Sequence, residues 1–434
     1  MEPWLSRAAR VHPDRAALVT PTRTWSYREL HAASAAVAGA LHGWGLRHGD
    51  RVALALPSDE LIIALHGCLA IGIAAVPVDL RLTDAERAVR LEGVARTLTE
   101  LPSGPPVPER PLELSDTATV MYTSGTTAGP KRVELSLSNW LWNAIGSAVA
   151  LGLDPEERWL CPMPLAHVGG LSIALRSAIY ATTVVLQERF DTEQVRDTLR
   201  DPGAGVTLVS LVPTMLARLL DSGLREPPTL RRVLLGGGPI APALLARARE
   251  ASIPVAPSFG MTETCSQIAT DGIALLGAEL ALSDAGELLV RGPSVAHAAI
   301  SGDGWLHTGD LARFDDAGRL EIVGRTADTI VSGGESIAPT EVEAVLLEHE
   351  AVSDAAVVGR PDPEWGEAVV ALIVPRLGWV SSHADGAAVD AAMAEDLRRF
   401  CGARLAGFKV PKRFELVDAL PRNATGKLQR RALH

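Results

Sequence analysis

The chain has 434 residues, 41 of them lysine or arginine and 52 aspartate or glutamate, for a formal net charge of -11. An acidic chain without a basic stripe is poorly suited to nucleic acid, and this length calls for more than one domain. Four scattered cysteines, Cys68, Cys161, Cys265 and Cys401, give neither a disulfide framework nor a zinc spacing, which points to a reducing, cytoplasmic setting.

The first residues, MEPWLSRAARVHPDRAAL, lack the basic-then-apolar pattern of an export signal. TWSYRELHAASAAVAGALHGWGL predicts an amphipathic helix with Ser26 as its N-cap and Gly45 near its stop. RVALALP and IAAVPVD read as short buried strands. Residues 61–78, LIIALHGCLAIGIAAVPV, are long enough to span a bilayer. His66 and the glycines interrupt that run, however, and it reads as a buried helix entering a buried strand. ELPSGPPVPERPLEL, residues 100–114, reads as a proline-rich connector that only spaces its neighbours.

GVTLVSLVP and RRVLLGGG are further strands, each preceded by a helix-like stretch, and this alternation predicts a mostly parallel sheet covered by helices. From about Gly286 the pattern changes. GELLVRGP and GRLEIVGR alternate like an antiparallel patch. After Gly324 a smaller unit begins. PTEVEAVLLEHEAV predicts a helix with Pro339 near its start, SDAAVVGRPD and EAVVALIVP predict strands, GWVSSHADGAAVD an exposed loop, and AAMAEDLRRFCGARL a second helix. The expected fold is α/β. A large N-terminal domain, residues 1–324, has parallel or mixed sheets plus an antiparallel patch; a small α+β domain, residues 325–434, is joined to it by a hinge.

VMYTSGTTAGPKRVELS, residues 120–136, has the composition of a phosphate-gripping loop. Hydroxyls and glycine-flanked N–H groups can close on phosphate oxygens, and a lysine adds a point charge. It is not the common nucleotide-hydrolase loop, because Pro130 separates Gly129 from Lys131 and Arg132 stands where a magnesium-binding hydroxyl belongs. The chain has only four lysines, Lys131, Lys409, Lys412 and Lys427. Against an arginine background, a lysine marks a place where a compact ammonium is needed.

Downstream follow PMPLAHVGGL, LLGGGPI, SFGMTET, GWLHTGD, IVGRTADTIVSGGESIAPTEVE and RNATGKLQ. In this order the pieces resemble the adenylate-forming superfamily, the AMP-binding acyl- and aryl-CoA synthetases and their relatives, over essentially the whole length. The resemblance implies a two-step reaction: a carboxylic acid attacks ATP to give an acyl-adenylate and pyrophosphate, and a thiol then takes the acyl group. It implies that Thr123, Ser124, Gly125, Thr126, Thr127 and Lys131 hold the leaving phosphates, with Arg132 as an additional cation. Thr262 would touch the α-phosphate and Glu263 would hold Mg2+. Phe259 and Gly260, with Gly237 and Gly238, would border the adenine. Asp310 would accept the ribose hydroxyls, and Arg325 would reach ribose or phosphate. Lys427 would serve the first step, Gly333 and Gly334 would flank the CoA arm in the second, and His167 would stand at the mouth of the acyl pocket, while His307 is structural.

Departures from the family pattern fall at Ala128 and Arg132, where glycine is usual, and at the hinge, where Ala327 replaces a charged residue beside Asp328. The stretch between Gln267 and Glu287 is also short. TLVSLVPTMLARLL, LRRVLLGGGPIAPALL and the run from SGGES to VVALIV are most similar to the o-succinylbenzoate–CoA ligases of menaquinone synthesis. Ser210 and Pro213 would then line the acyl pocket. Other aryl- or short- to medium-chain acyl-CoA ligases, loading of a carrier-protein arm, and a non-catalytic nucleotide-binding relative stay open here, as does a homodimer.

Overall fold

The computed structural model describes all residues except 124–129, 333–334, 364, 377–390, 423–427 and 434. The helix expected after residue 24 is Tyr27–Gly43. Ser26 and Glu29 form a reciprocal capping box at its start, and Gly45, with φ of 87°, takes the left-handed turn just beyond its end. The same device opens Asp84–Arg90 from Thr83 and Leu137–Leu151 from Ser136. The membrane-length run is a helix, Ser58–Ala70, entering the strand Ala74–Pro77. Its residues 61–70 are buried on every side. Among the described residues no helix is long and apolar enough to cross a membrane.

Among the described residues four sheets organise the fold. The largest has nine strands; Arg158–Cys161, Thr183–Leu186, Leu208–Leu211, Arg232–Leu235 and Val255–Met261 form its parallel centre. A second sheet runs Arg96–Leu98, Arg51–Leu54, Ala74–Pro77, Thr117–Thr123 in parallel and ends in antiparallel Lys131–Ser136. Side chains alternate across both sheets. Trp159, Leu208 and Leu234 face one core with Val52, Leu54 and the helices Tyr27–Gly43 and Ser58–Ala70. Val209, Leu211 and Val233 face another with Leu216, Leu219 and Leu244. The helices are thus shared between the sheets, and the two sets of strand ends are brought together.

Glu279–Leu282, Glu287–Arg291, Leu306–Phe314 and Leu320–Arg325 make the expected antiparallel sheet. The fourth sheet begins at Ile330–Ser332 and includes Val352–Asp362, Gly366–Pro375 and Arg413–Leu416. It has its own core of Ile337, Val342, Val357, Leu397 and Phe414.

Three local expectations need correction or closer definition. Residues 100–114 have no regular structure but are more than a spacer. Gly104 N–H donates to Ala36 O, and a Cβ on Gly39 would lie 2.0 Å from Pro105 O. Leu101, Val107 and Leu112 pack against the main core, so the connector is a strap bound to it. The helix from Pro339 stops at Leu346, where the His349 ring accepts from Ala351 N–H and turns the chain into the next strand. The shortness after Gln267 is met by a two-residue turn: Asp271 and Gly272, with φ of 52° and 75°, join Ser266–Thr270 directly to Ile273–Ala274. The expected exposed loop at 378–390 lies outside the described residues.

Candidate active site

In parallel sheets the carboxyl ends of the strands are the usual ligand positions, because the crossover loops meet there. Most of the residues singled out from the sequence lie at such ends. Thr123 closes one strand and sits opposite Lys131 in the hairpin register. Ser124, Gly125, Thr126, Thr127 and Ala128, between them, lie outside the described residues. Lys131 reaches from this sheet to the other, its Nζ 3.7 Å from Glu263 Oε1. The lysine is largely exposed, whereas the glutamate side chain keeps only 15% of its surface in contact with solvent. Beside it, Arg132 stands 3.4 Å from Glu134.

Thr262 and Glu263 belong to a single tight turn, Thr262–Thr264, directly after the strand Val255–Met261. Thr264 Oγ1 accepts from Met261 N–H, and Glu263 O accepts from Ala296 N–H. The chain leaves the turn through Cys265 and Ser266, with φ of 59° and 91°. Two successive non-glycine residues in that region are strained, and such strain persists only where the surroundings enforce it. Here it turns the backbone back on itself and leaves Thr262 and Glu263 at the strand end.

The three glycines of LLGGG have separate reasons. A Cβ on Gly236 would lie 2.7 Å from Ser258 Oγ and 2.9 Å from Ser258 O, and Gly237 has φ of 79°. Gly238 meets only Pro213, at 3.8 Å, which is ordinary contact. Packing and backbone therefore account for two of the three, and only Gly238 is left with smallness that no neighbour requires. Gly260 is also structural, since a Cβ there would sit 1.8 Å from Ser266 O in the adjoining strand. Phe259 is half-buried at the edge of a small core with Ile268 and Leu288.

Asp310 is buried, and its Oδ1 accepts from Arg325 Nε at 2.8 Å. The two face each other across adjacent strands of the antiparallel sheet. His167 follows the strand Arg158–Cys161, and its Nε2 lies 4.0 Å from Asp79 Oδ2, just past the strand Ala74–Pro77. Desolvation holds the imidazole below its ordinary value, against the pull of Asp79. Asp79 is engaged by Arg81 through Nη2 at 2.6 Å and Nε at 2.8 Å, and its carboxyl stays lowered although desolvation opposes this. His307 is exposed and bridges Glu287 and Asp303, in keeping with a structural part. Ser210 is buried and its hydroxyl accepts from Trp159 Nε1 at 3.1 Å. Lys427, Gly333 and Gly334 lie outside the described residues.

Reading the sequence alone overlooked Arg176. It sits inside the helix Val168–Tyr180 and is 1% exposed. Its Nη2 donates to Asn143 Oδ1, and its guanidinium lies 5.5 Å from the Trp159 ring centre. Among the described residues its Nε and Nη1 have no hydrogen-bond partner. A buried cation with open donors calls for an anion or water. The signal was available as one arginine in the apolar run LSIALRSAIY.

Among the described residues no group of three or more His, Cys, Asp or Glu could hold a metal ion. A single carboxylate beside a phosphate-gripping hairpin nonetheless suits magnesium, which takes one or two carboxylates and completes its shell with phosphate oxygens and water.

Models of two families match the chain: AMP-binding enzyme at residues 5–98 and 93–298, and AMP-binding enzyme C-terminal domain at residues 341–427. A 2-succinylbenzoate–CoA ligase of Bacillus licheniformis is 39% identical, covering 99% of this chain and 98% of that protein. The o-succinylbenzoate coenzyme A synthetase of Bacillus subtilis, solved with the acyl-adenylate intermediate OSB-AMP, is 36% identical with a TM-score of 0.90, covering 100% of this chain and 98% of its own. Its complex with ATP and magnesium ion gives a TM-score of 0.88 at 35% identity, covering 99% of each chain. A double mutant of it bound to the product analogue OSB-NCoA gives only 0.73 at 36% identity, covering 100% and 98%.

Proposed function

The chain belongs to the AMP-binding enzyme family, and from that premise we propose that it is an ATP-dependent acid–CoA ligase that converts 2-succinylbenzoate to its CoA thioester for menaquinone formation. The observation that carries this reading is the approach of Lys131 to Glu263, which sets a phosphate-binding cation beside a magnesium-binding carboxylate from the other sheet.

In the first step a substrate carboxylate oxygen bonds to the α-phosphorus of ATP, and the bond to the bridging oxygen breaks, releasing pyrophosphate. Thr123, Ser124, Gly125, Thr126, Thr127 and Lys131 hold the leaving phosphates, and Arg132 adds charge at the same hairpin. Thr262 contacts the α-phosphate. Glu263 would hold magnesium, which would screen the charge of the triphosphate. Asp310 takes the ribose hydroxyls, with Arg325 beside it, and Phe259, Gly260, Gly237 and Gly238 border the adenine. Lys427 stabilises the charge that builds on the α-phosphate oxygens, a task that requires close placement. In the second step the CoA thiolate attacks the acyl carbon and AMP leaves. Gly333 and Gly334 flank the CoA arm, and His167 stands at the acyl pocket with Ser210 and Pro213.

Residues 1–324 and 325–434 act as two domains about a hinge at 325–328. The last strand of the antiparallel sheet ends at Arg325 and the next sheet starts at Ile330, which supports that division. The fall in TM-score from 0.90 to 0.73 between two complexes at equal identity supports a domain rearrangement, with this chain resembling the adenylate-bound form. The setting is cytoplasmic. Pyrophosphate release measured over a panel of carboxylic acids tests the reading. Release should require 2-succinylbenzoate, and mass spectrometry should find its CoA thioester when free CoA is the only thiol. Release with simple fatty or aryl acids instead, or product only on a carrier protein, would reject it.

A further inference from the structure

Residues 423–427, which include Lys427, lie between two fastened ends. At the base, Arg422 and Leu428 form an isolated β-bridge and Gln429 N–H donates to Pro421 O at 2.8 Å. Arg422 Nη2 also binds both carboxylate oxygens of Asp354, at 2.9 and 2.7 Å. Beyond the base stands Arg430. Its Nη2 donates to Glu343 Oε2 at 2.7 Å and its Nη1 to Glu343 Oε1. Nη1 also donates to Val357 O at 2.9 Å, and Nε lies 3.2 Å from Asp328 Oδ2. Glu343 in turn accepts from Val357 N–H at 2.7 Å.

One guanidinium therefore fastens four parts: its own segment, the helix Pro339–Leu346, the strand Val352–Asp362, and the turn Thr326–Asp328 where the chain leaves the large domain's last strand. The Arg430 and Glu343 side chains are 12% and 10% exposed, so this is not a solvated surface pair. A buried ion pair is weak evidence for stability, since packed apolar residues serve as well, but a planar fork fixes geometry. Geometry is what a catalytic amine needs.

We propose that Arg430 is a positioning residue for acyl-adenylate formation, tying the base of the Lys427 segment rigidly to the hinge turn at Asp328 so that hinge rotation sets the place of the amine. The proposal rests on the reading of Lys427 given above. It also gives Asp328 a task at a hinge where Ala327 carries no charge: the carboxylate links the turn to the catalytic segment.

The test separates the two half-reactions in the full-length enzyme. One assay follows single-turnover acyl-adenylate formation from ATP, magnesium and 2-succinylbenzoate. The other follows thioester formation from synthetic acyl-adenylate and CoA. Arg430→Lys keeps the charge and loses the fork, Asp328→Asn loosens only the hinge contact, and Arg430→Met removes the whole clamp. Misplacement of a reacting group by an ångström can cost about 10²-fold. Arg430→Met is therefore expected to slow acyl-adenylate formation about 30- to 100-fold, and Asp328→Asn about 3- to 10-fold, with ATP affinity and the thioester step within about twofold of wild type. Arg430→Lys should fall between Arg430→Met and wild type. Equal slowing of both half-reactions, in proportion to lost folded protein in thermal melts, would make Arg430 merely structural and overturn the proposal. Unchanged adenylation in Asp328→Asn and Arg430→Lys would overturn it too. Lys427→Ala, run alongside, must itself lose adenylation; if it does not, the functional reading beneath the proposal fails, whatever Arg430 does.

Discussion

The two domains handle charge in opposite ways. In the large domain two groups proposed to serve phosphate and magnesium already meet, Lys131 lying 3.7 Å from Glu263, and at its boundary Asp310 accepts from Arg325 at 2.8 Å. Asp310 lies within the strand Leu306–Phe314 beside a packed core and Glu263 sits in the turn after Val255–Met261, so the fold places these two carboxylates, while Lys131 stays largely exposed. In the small domain Arg430 with Glu343 and Asp328 surrounds the base of the segment that carries Lys427, the amine proposed above to serve adenylation. On the reading proposed above, the large domain holds groups that bind the ligand, whereas the small one holds groups that deliver a residue to it. Binding should therefore belong to the first, and the timing of chemistry to the second.

Glu263→Gln strikes the binding side hardest. It removes the one carboxylate assigned to magnesium, whose charge stabilisation is worth several kcal/mol, so pyrophosphate release should fall about 10²-fold. The loss should shrink as magnesium is raised in steady-state assays. A loss that is indifferent to magnesium would mean that Glu263 serves the turn and not the metal.

A smaller effect sharpens the contrast through pH. His66 is buried in the large domain, and desolvation, with a lesser push from His31, lowers it to about 4. Between that value and the ordinary 6.5 the unfolded chain binds a proton that the native state does not. Stability from this group is therefore lost as pH falls through that window. Between pH 7 and 5 the cost is about 2 kcal/mol, and urea unfolding of His66→Leu should show a pH dependence reduced by about that amount. An unchanged pH dependence would mean that His66 has access to solvent or to an acceptor.

Much of this was legible in the sequence because the fold uses local rules. Ser26 with Glu29, Pro339 at a helix start, and the alternation in GELLVRG each act within a few residues. The motif order likewise singled out Lys131, Glu263, Asp310 and Arg325, which the fold brings into two ion pairs. Other features depend on contacts distant in the chain. The strap at 100–114 looked like a spacer because its partners, Ala36 and Gly39, lie some sixty residues away in the chain. Arg176 hid in an apolar helix because only tertiary burial makes an arginine exceptional. Gly236 leaves room for Ser258 and Gly237 takes a positive φ, two requirements that the motif alone does not show.

Lys427→Ala offers the most direct measurement of the division between holding and delivering, with equilibrium ATP–magnesium binding and single-turnover acyl-adenylate formation followed on the same preparation. The division predicts affinity within about threefold of wild type and a rate lower by about 10²–10³-fold or more. A variant that binds ATP poorly, or that still forms the adenylate at the wild-type rate, would contradict it.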